Sequence, residues 1–246
     1  MVAVNLPVGS GSVKVNLPVA KPDPGLVAVI VDERGNETLV PKSVVTEDGL
    51  KMEMEGSANV KIVDNSKSFQ DVPEGHWAND AVSFASARNL FQGVNETAFA
   101  PNRAMTRSML ATVLDRLESQ PETSAEDVFT DVNEKAYYAG GVSWASDNGI
   151  VTGYGDGTYR PDQVITRQQL AAMLYRYAGS PDVTGTGLNF PDAANVSDYA
   201  RDAMKWAVEN GIIQGKTDGR LDPHGLATRA QVAAMMMRYC RCALDR

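Results

Sequence analysis

Three arginines each directly follow a threonine at the start of an apolar run: Thr106-Arg107, Thr166-Arg167 and Thr228-Arg229. They are spaced 60 and 62 residues apart. A cation in the first turn of a helix opposes the positive end of the helix dipole. Placing one there three times points to an anion that each must satisfy. Arginine suits a carboxylate, because its planar fork offers parallel donors. Backbone N–H groups at a helix start would add to the attraction. Around each arginine the same candidate partners recur: an acid (Asp71, Asp131, Asp192), an exposed-reading ring (Trp77, Tyr137, Tyr199), and glycines such as Gly153 and Gly215, which would let backbone approach a ligand. Each has a plainer reading. The arginines could pair with those same aspartates, the aspartates could shape turns, and the rings could sit at a core rim.

Other chemistries find little support. The two histidines, His76 and His224, fall at non-equivalent places in the repeat, and no local motif supports a Ser-His-Asp or Cys-His arrangement. Cys240-x-Cys242 without a nearby histidine is a poor zinc site, and Asp156 to Asp162 lacks the alternating acids of a calcium loop. We therefore expect no enzyme activity, no metal and no cofactor. A net charge of −8 argues against a nucleic-acid partner. No apolar run is long enough for membrane insertion. The Met-Val-Ala-Val-Asn-Leu-Pro start lacks the basic and apolar regions of a signal peptide, so the chain either stays inside or is a piece of a longer exported precursor.

The elements that must carry these residues form a repeat. Copies open at Phe69, Phe129 and Phe190, each two residues before its aspartate. A ring follows (Trp77, Tyr137, Tyr199), then a second ring seven residues on (Phe84, Trp144, Trp206), which reads as core. With Ala81, Gly141 and Ala203, and with Ala85, Ala145 and Ala207, the rings make one helical stripe per copy. Asn89, Gly149 and Gly211 suit the left-handed residue that ends a helix. A glycine (Gly93, Gly153, Gly215), a turn and a proline (Pro101, Pro161, Pro223) lead to the second helix. Thr166 with Gln169 and Thr228 with Gln231 fit a capping box, whereas Met109 loses the return bond in the first copy. Leu110, Val113, Leu114 and Leu117 form the apolar stripe of that helix, as do Leu170, Met173, Leu174 and Tyr177, and Val232, Met235, Met236 and Tyr239. Three such stripes predict a central three-helix core. Residues 1–66 read instead as a small antiparallel β subdomain, with strands near Val13–Leu17, Leu26–Val31, Thr38–Val40 and Val60–Val63. Residues 64–68 read as a linker.

This constellation resembles the S-layer homology (SLH) domain family. The resemblance rests on Phe-x-Asp at each copy's start, on Gly149-Ile150-Val151-Thr152-Gly153-Tyr154-Gly155-Asp156-Gly157-Thr158-Tyr159-Arg160-Pro161 with Ile165-Thr166-Arg167-Gln168-Gln169, and on Gly211 to Gly215 with Thr228-Arg229-Ala230-Gln231. It implies a mainly α, three-fold pseudosymmetric bundle after the β subdomain. The expected boundaries are 1–66, 67–120, 127–179 and 188–242. It also implies an extracellular, wall- or surface-layer-associated fragment from the C-terminal end of a bacterial surface protein. Such modules anchor their host to the Gram-positive cell wall without catalysis. They bind an anionic, often pyruvylated, secondary wall polysaccharide in grooves between repeats. The sugar-holding role falls on Arg107, Arg167 and Arg229, with the rings covering the sugar's C–H face. Met109, Gln169 and Gln231 stand where the family motif commonly ends in Glu, and the first copy lacks the Asp-Gly turn, which favours the second and third Thr-Arg motifs. The alternative function is protein–protein assembly, including self-association in a surface layer, without glycan binding.

Overall fold

The computed structural model describes residues 1–121, 128–185 and 187–245; the expected start of the second repeat, residue 127, lies outside them. The described chain divides into two compact units. One comprises Met1–Pro101, Arg116–Ser119 and the C-terminal stretch from Met236; the other comprises Asn102–Asp115 and the described residues of 120–235.

The first unit holds seven strands: β1 (Val2–Val4), β2 (Ser12–Leu17), β3 (Leu26–Val31), β4 (Glu37–Val40), β5 (Val44–Thr46), β6 (Gly49–Glu55) and β7 (Ala58–Asp64). They form two antiparallel sheets, ordered β1-β7-β3-β4 and β2-β6-β5. Side chains alternate across a strand. In β6 Leu50, Met52 and Met54 are therefore buried, while Glu53 and Glu55 face water. Leu17, Ala28, Val45 and Val60 join them in one apolar cluster fed by both sheets. The β3–β4 hairpin is closed by the Asp32 carboxylate, which accepts from Arg34 N at 2.9 Å and Asn36 N at 2.8 Å.

Helix α1 (Asn79–Ala87) belongs to this unit and packs against β3. Arg88, the residue after it, is almost wholly buried. Its guanidinium donates to the carbonyls of Ser43 (2.6 Å), Pro24 (2.9 Å), Leu26 (2.9 Å) and Phe84 (3.1 Å), and lies 4.0 Å over the Phe84 ring. Burial pushes its pKa down to about 9, and the ring of carbonyls compensates the buried charge. The residues expected to link the β part to the repeats are tied in place: Asn65 donates from its backbone to Gly25 O and from its side chain to Ala87 O.

The remaining helices are α2 (Arg107–Leu117), α3 (Ala139–Asp147), α4 (Arg167–Tyr177), α5 (Arg201–Glu209) and α6 (Arg229–Asp245), with 3-10 turns at Ala193–Asn195 and Asp198–Ala200. Helix α4 packs against α5. The capping box is complete at Thr166 and Gln169, and both bonds recur between Thr228 and Gln231. At α2 only the Thr106 bond to Met109 N remains. Asn89, Gly149 and Gly211 end their helices with φ of 56°, 67° and 65°. Leu110, Leu114, Leu170, Leu174, Val232 and Met236 are fully buried.

The expectation of a mainly α chain is overturned. Among the described residues, sheets of four and three strands stand beside six helices, with 30% helix against 18% strand. Two physical reasons account for the difference. Five of the helices span only 9–11 residues, so much of each repeat is turn. The β part also contains β1, β5 and β6, which raise it to seven strands.

Candidate anion-binding site

The threonine–arginine turns are built by a ring of backbone bonds in the second unit. Met105 N donates to Ala227 O (2.9 Å), Ala227 N to Ile165 O (3.1 Å), and Ile165 N to Met105 O (2.9 Å). The three pre-helical segments thus close a cycle, one bond each. Two residues on, Arg107 N donates to Gln163 O, Arg167 N to Gly225 O and Arg229 N to Arg103 O, all at 2.9 Å. Ser108 N and Gln168 N donate to Pro161 O and Pro223 O. The threonine hydroxyls take the next amides, Met109 N and Gln169 N. The first three amides of α2 and α4 are therefore spent on the fold. The helix-start amides expected to assist an anion are not available there, and the side chains must do the work.

Each sequence-selected aspartate is a backbone clamp. Asp71 accepts from Phe99 N and Ala100 N, Asp131 from Tyr159 N and Arg160 N, and Asp192 from Leu221 N and Asp222 N, at 2.7–2.8 Å. The second residue of each pair is left-handed, with φ of 59°, 59° and 52° at Ala100, Arg160 and Asp222. Two charge-assisted bonds hold that costly conformation. Burial pushes the Asp192 carboxyl up, but the Leu221 and Asp222 amides outweigh it, and the net shift is downward. The glycines make room for protein and not for a ligand. A Cβ on Gly153 would lie 2.3 Å from the Phe129 ring, on Gly215 2.7 Å from Phe190, and on Gly93 2.7 Å from Phe69.

The clamped loops fix the arginines. Tyr159 O accepts Arg107 Nε at 2.9 Å, while Leu221 O accepts Arg167 Nε at 2.8 Å and Gln214 O accepts Arg167 Nη2 at 2.8 Å. Arg107, Arg167 and Arg229 are only 8%, 4% and 9% exposed. Arg107 is the most open in chemistry. Its Nη1 and Nη2 make no hydrogen bond with any described residue, form no ion pair there, and keep contact with solvent. Its guanidinium carbon lies 4.6 Å from the Tyr159 ring centroid and 5.1 Å from that of Tyr154. Arg160 stacks on Tyr154 as well, at 4.0 Å, and the Tyr154 hydroxyl donates to Gln163 Oε1 at 2.9 Å.

Of the three exposed rings, Tyr199 is the one within electrostatic reach of Arg107. Partial burial raises its phenol pKa, Tyr154 adds to the rise, and Arg107 and Arg176 oppose it. Gln168 positions it by accepting from Ser197 N (3.0 Å) and donating to Ser197 Oγ (3.0 Å), just before the turn that bears Tyr199. Trp77 lies beside His76 and Tyr137 beside Tyr138, both rings exposed. A separate surface depression lined by Val128, Phe129, Asn133, Lys135 and Gly157 includes none of the arginines. Tyr154, Tyr159 and Gln168 were not singled out as site residues from sequence. The signal for the tyrosines was their position: residue 154 is Val94 and Lys216 in the other copies, and residue 159 is Phe99 and Leu221.

Comparison with known proteins finds the same threefold repeat. Residues 68–108, 128–171 and 189–233 match the S-layer homology domain. The chain is 30% identical over 177 residues to an amylopullulanase of Thermoanaerobacterium thermosulfurigenes, covering 69% of this chain and 9% of that protein. It is 26% identical over 175 residues to an S-layer protein of Bacillus thuringiensis subsp. finitimus, covering 70% and 21%. It is 29% identical over 133 residues to a cellulosome-anchoring protein of Acetivibrio thermocellus, covering 52% and 30%. The chain thus spans less than a third of the length of these relatives. Three matched segments covering more than half of its residues, in register with the three threonine–arginine turns, place the chain in the S-layer homology domain family.

Proposed function

We propose that this chain anchors a surface protein to the bacterial cell wall, without covalent attachment or catalysis, by binding an anionic, pyruvylated secondary wall polysaccharide at its threonine–arginine turns. In this reading residues 1–66 are a β-rich subdomain, 67–120, 127–179 and 188–242 are the repeats, and the protein acts outside the cell. Sequence favours the second and third Thr-Arg motifs, but the observation that carries the reading is Arg107, which faces the intact turn of the second copy. It is a nine-tenths buried cation with two forked donors open to solvent and no carboxylate partner among the described residues. Burying a charge costs free energy unless a partner compensates it, and a ligand carboxylate completes the set. Tyr199 and Tyr154 offer ring surface beside it. Names among the relatives, a cellulosome-anchoring protein and an S-layer protein, support the anchoring half of the reading.

Each forked contact contributes about 1.5–3 kcal/mol. Several weak sites on one polymer gain further by avidity. The test is co-sedimentation with purified cell walls. Binding should fall when acid-labile ketal groups are stripped from the wall glycan, and also for Arg107→Gln combined with Arg167→Gln in a chain that keeps its circular dichroism spectrum. A folded double variant that sediments like the parent would sink the proposal. Self-association without wall affinity would favour the assembly reading instead.

A further inference from the structure

The copies differ around their arginines. Beside Arg107 stand Tyr154 and Arg160. The equivalents facing Arg167 are Lys216 and Asp222, and these two are already joined by an ion pair of 2.5 Å. Arg160 has its own pair, with Asp156 at 3.1 Å, but both partners are about half exposed. Such a pair is weak in water and readily exchanged for a ligand anion. Arg107 and Arg160 share one tyrosine ring, so they can be no further apart than their two ring distances laid end to end, a span that a sugar residue and its neighbour cover. The Asp131 clamp holds Arg160's left-handed backbone, and the Tyr154 hydroxyl is fixed on Gln163. The platform between the two cations is therefore set before any ligand arrives.

Building on the glycan reading above, we infer that Arg160 is a second ligand-binding cation of the Arg107 site, and that this site takes two carboxylates from adjacent sugars of an acidic glycan where the Arg167 site takes one. Arg107 holds the first carboxylate with its unused donors. Arg160 leaves Asp156 for the second.

The experiment is calorimetric titration of the whole chain with two probes, a methyl hexoside carrying one 4,6-carboxyethylidene ketal and the disaccharide carrying two. The parent should prefer the disaccharide by roughly tenfold or more. Arg160→Gln should abolish that preference while leaving affinity for the monosaccharide within about twofold, and Arg160→Lys should restore part of it. Lys216→Gln should leave the preference unchanged. Arg160 is exposed and its backbone is held by its own amide, so these variants should keep the fold. A disaccharide preference that survives Arg160→Gln overturns this inference and leaves the glycan reading standing. A parent chain that binds neither probe overturns both.

Discussion

Replacing Gly153 by alanine adds a single methyl group, and the structure allows its cost to be separated into parts. Gly153 has φ of 63°, and its added Cβ would come within 2.3 Å of the Phe129 ring and 2.8 Å of Thr158 O. A left-handed L-residue costs about 1–2 kcal/mol. Overpacking a core contact costs about 1–3 kcal/mol. Gly149 supplies the first cost alone, since φ is 67° and no atom lies within 4 Å of its added Cβ. Gly215 supplies mainly the second, with the Phe190 ring at 2.7 Å. The three alanine variants should therefore rank G149A mildest, G215A next or similar, and G153A worst at about 2–5 kcal/mol. For a chain of this length that lowers Tm by roughly 4–20 °C. Urea denaturation followed by circular dichroism measures the series. Because Tyr154 is the next residue, G153A should also weaken glycan binding where G149A does not. If G153A is no less stable than G149A, the Phe129 ring is not seated as described and the rigid-platform argument fails.

Three further outcomes follow from particular contacts. Asp131→Ala strips the acceptors from Tyr159 N and Arg160 N, and should cost about 2 kcal/mol and weaken glycan binding; Asp131→Asn should cost less, since one acceptor oxygen remains. Hydrogen bonds from Thr158 and Arg160 lower the Asp156 carboxyl to about 2, and Asp192 is also lowered. A carboxyl depressed below its unfolded value near 3.8 gives stability that is present above that pH and lost as pH falls towards about 2, so thermal midpoints should decline across that window and level off above it. Arg88→Met should destabilise the β-rich unit by more than about 3 kcal/mol, because it leaves several buried carbonyls without donors, and Arg88→Lys should recover only part of this because it lacks the fork; proteolysis of residues 1–66 in the two variants would report it.

Much of the repeat was legible because it rests on local chemistry. The Thr166–Gln169 cap, the left-handed closers at Asn89, Gly149 and Gly211, and the buried stripes through Leu110, Leu170 and Val232 follow from spacing alone. The β part was under-read. Leu50-Lys51-Met52-Glu53-Met54-Glu55 alternates, but it holds no β-branched or aromatic residue, so the strand that begins at Gly49 carries a weak local signal. The strands β1, β5 and β6, together with helices shorter than the stripes suggest, turn an expected mainly α chain into a mixed one. At the site, sequence marked the arginines but could not show what their neighbours were used for. Asp131 carries the type of a ligand group, but its oxygens are taken by two amides that lie 28 and 29 residues on. The Arg107–Tyr154–Arg160 stack joins α2 to the loop of the next copy, a non-local contact that no spacing rule contains. Arg88 reads as an ordinary surface residue at a helix end, and only the β sheet folded over it makes it a buried hub.

The most direct measurement is a crystal structure of the chain grown with the ketal-bearing hexoside. The ligand carboxylate should lie within hydrogen-bond distance of Arg107 Nη1 and Nη2, with the sugar against Tyr199 and Tyr154. A hexoside that binds in solution but is found in the crystal away from all three threonine–arginine turns, with Arg107 still open to solvent, would contradict it.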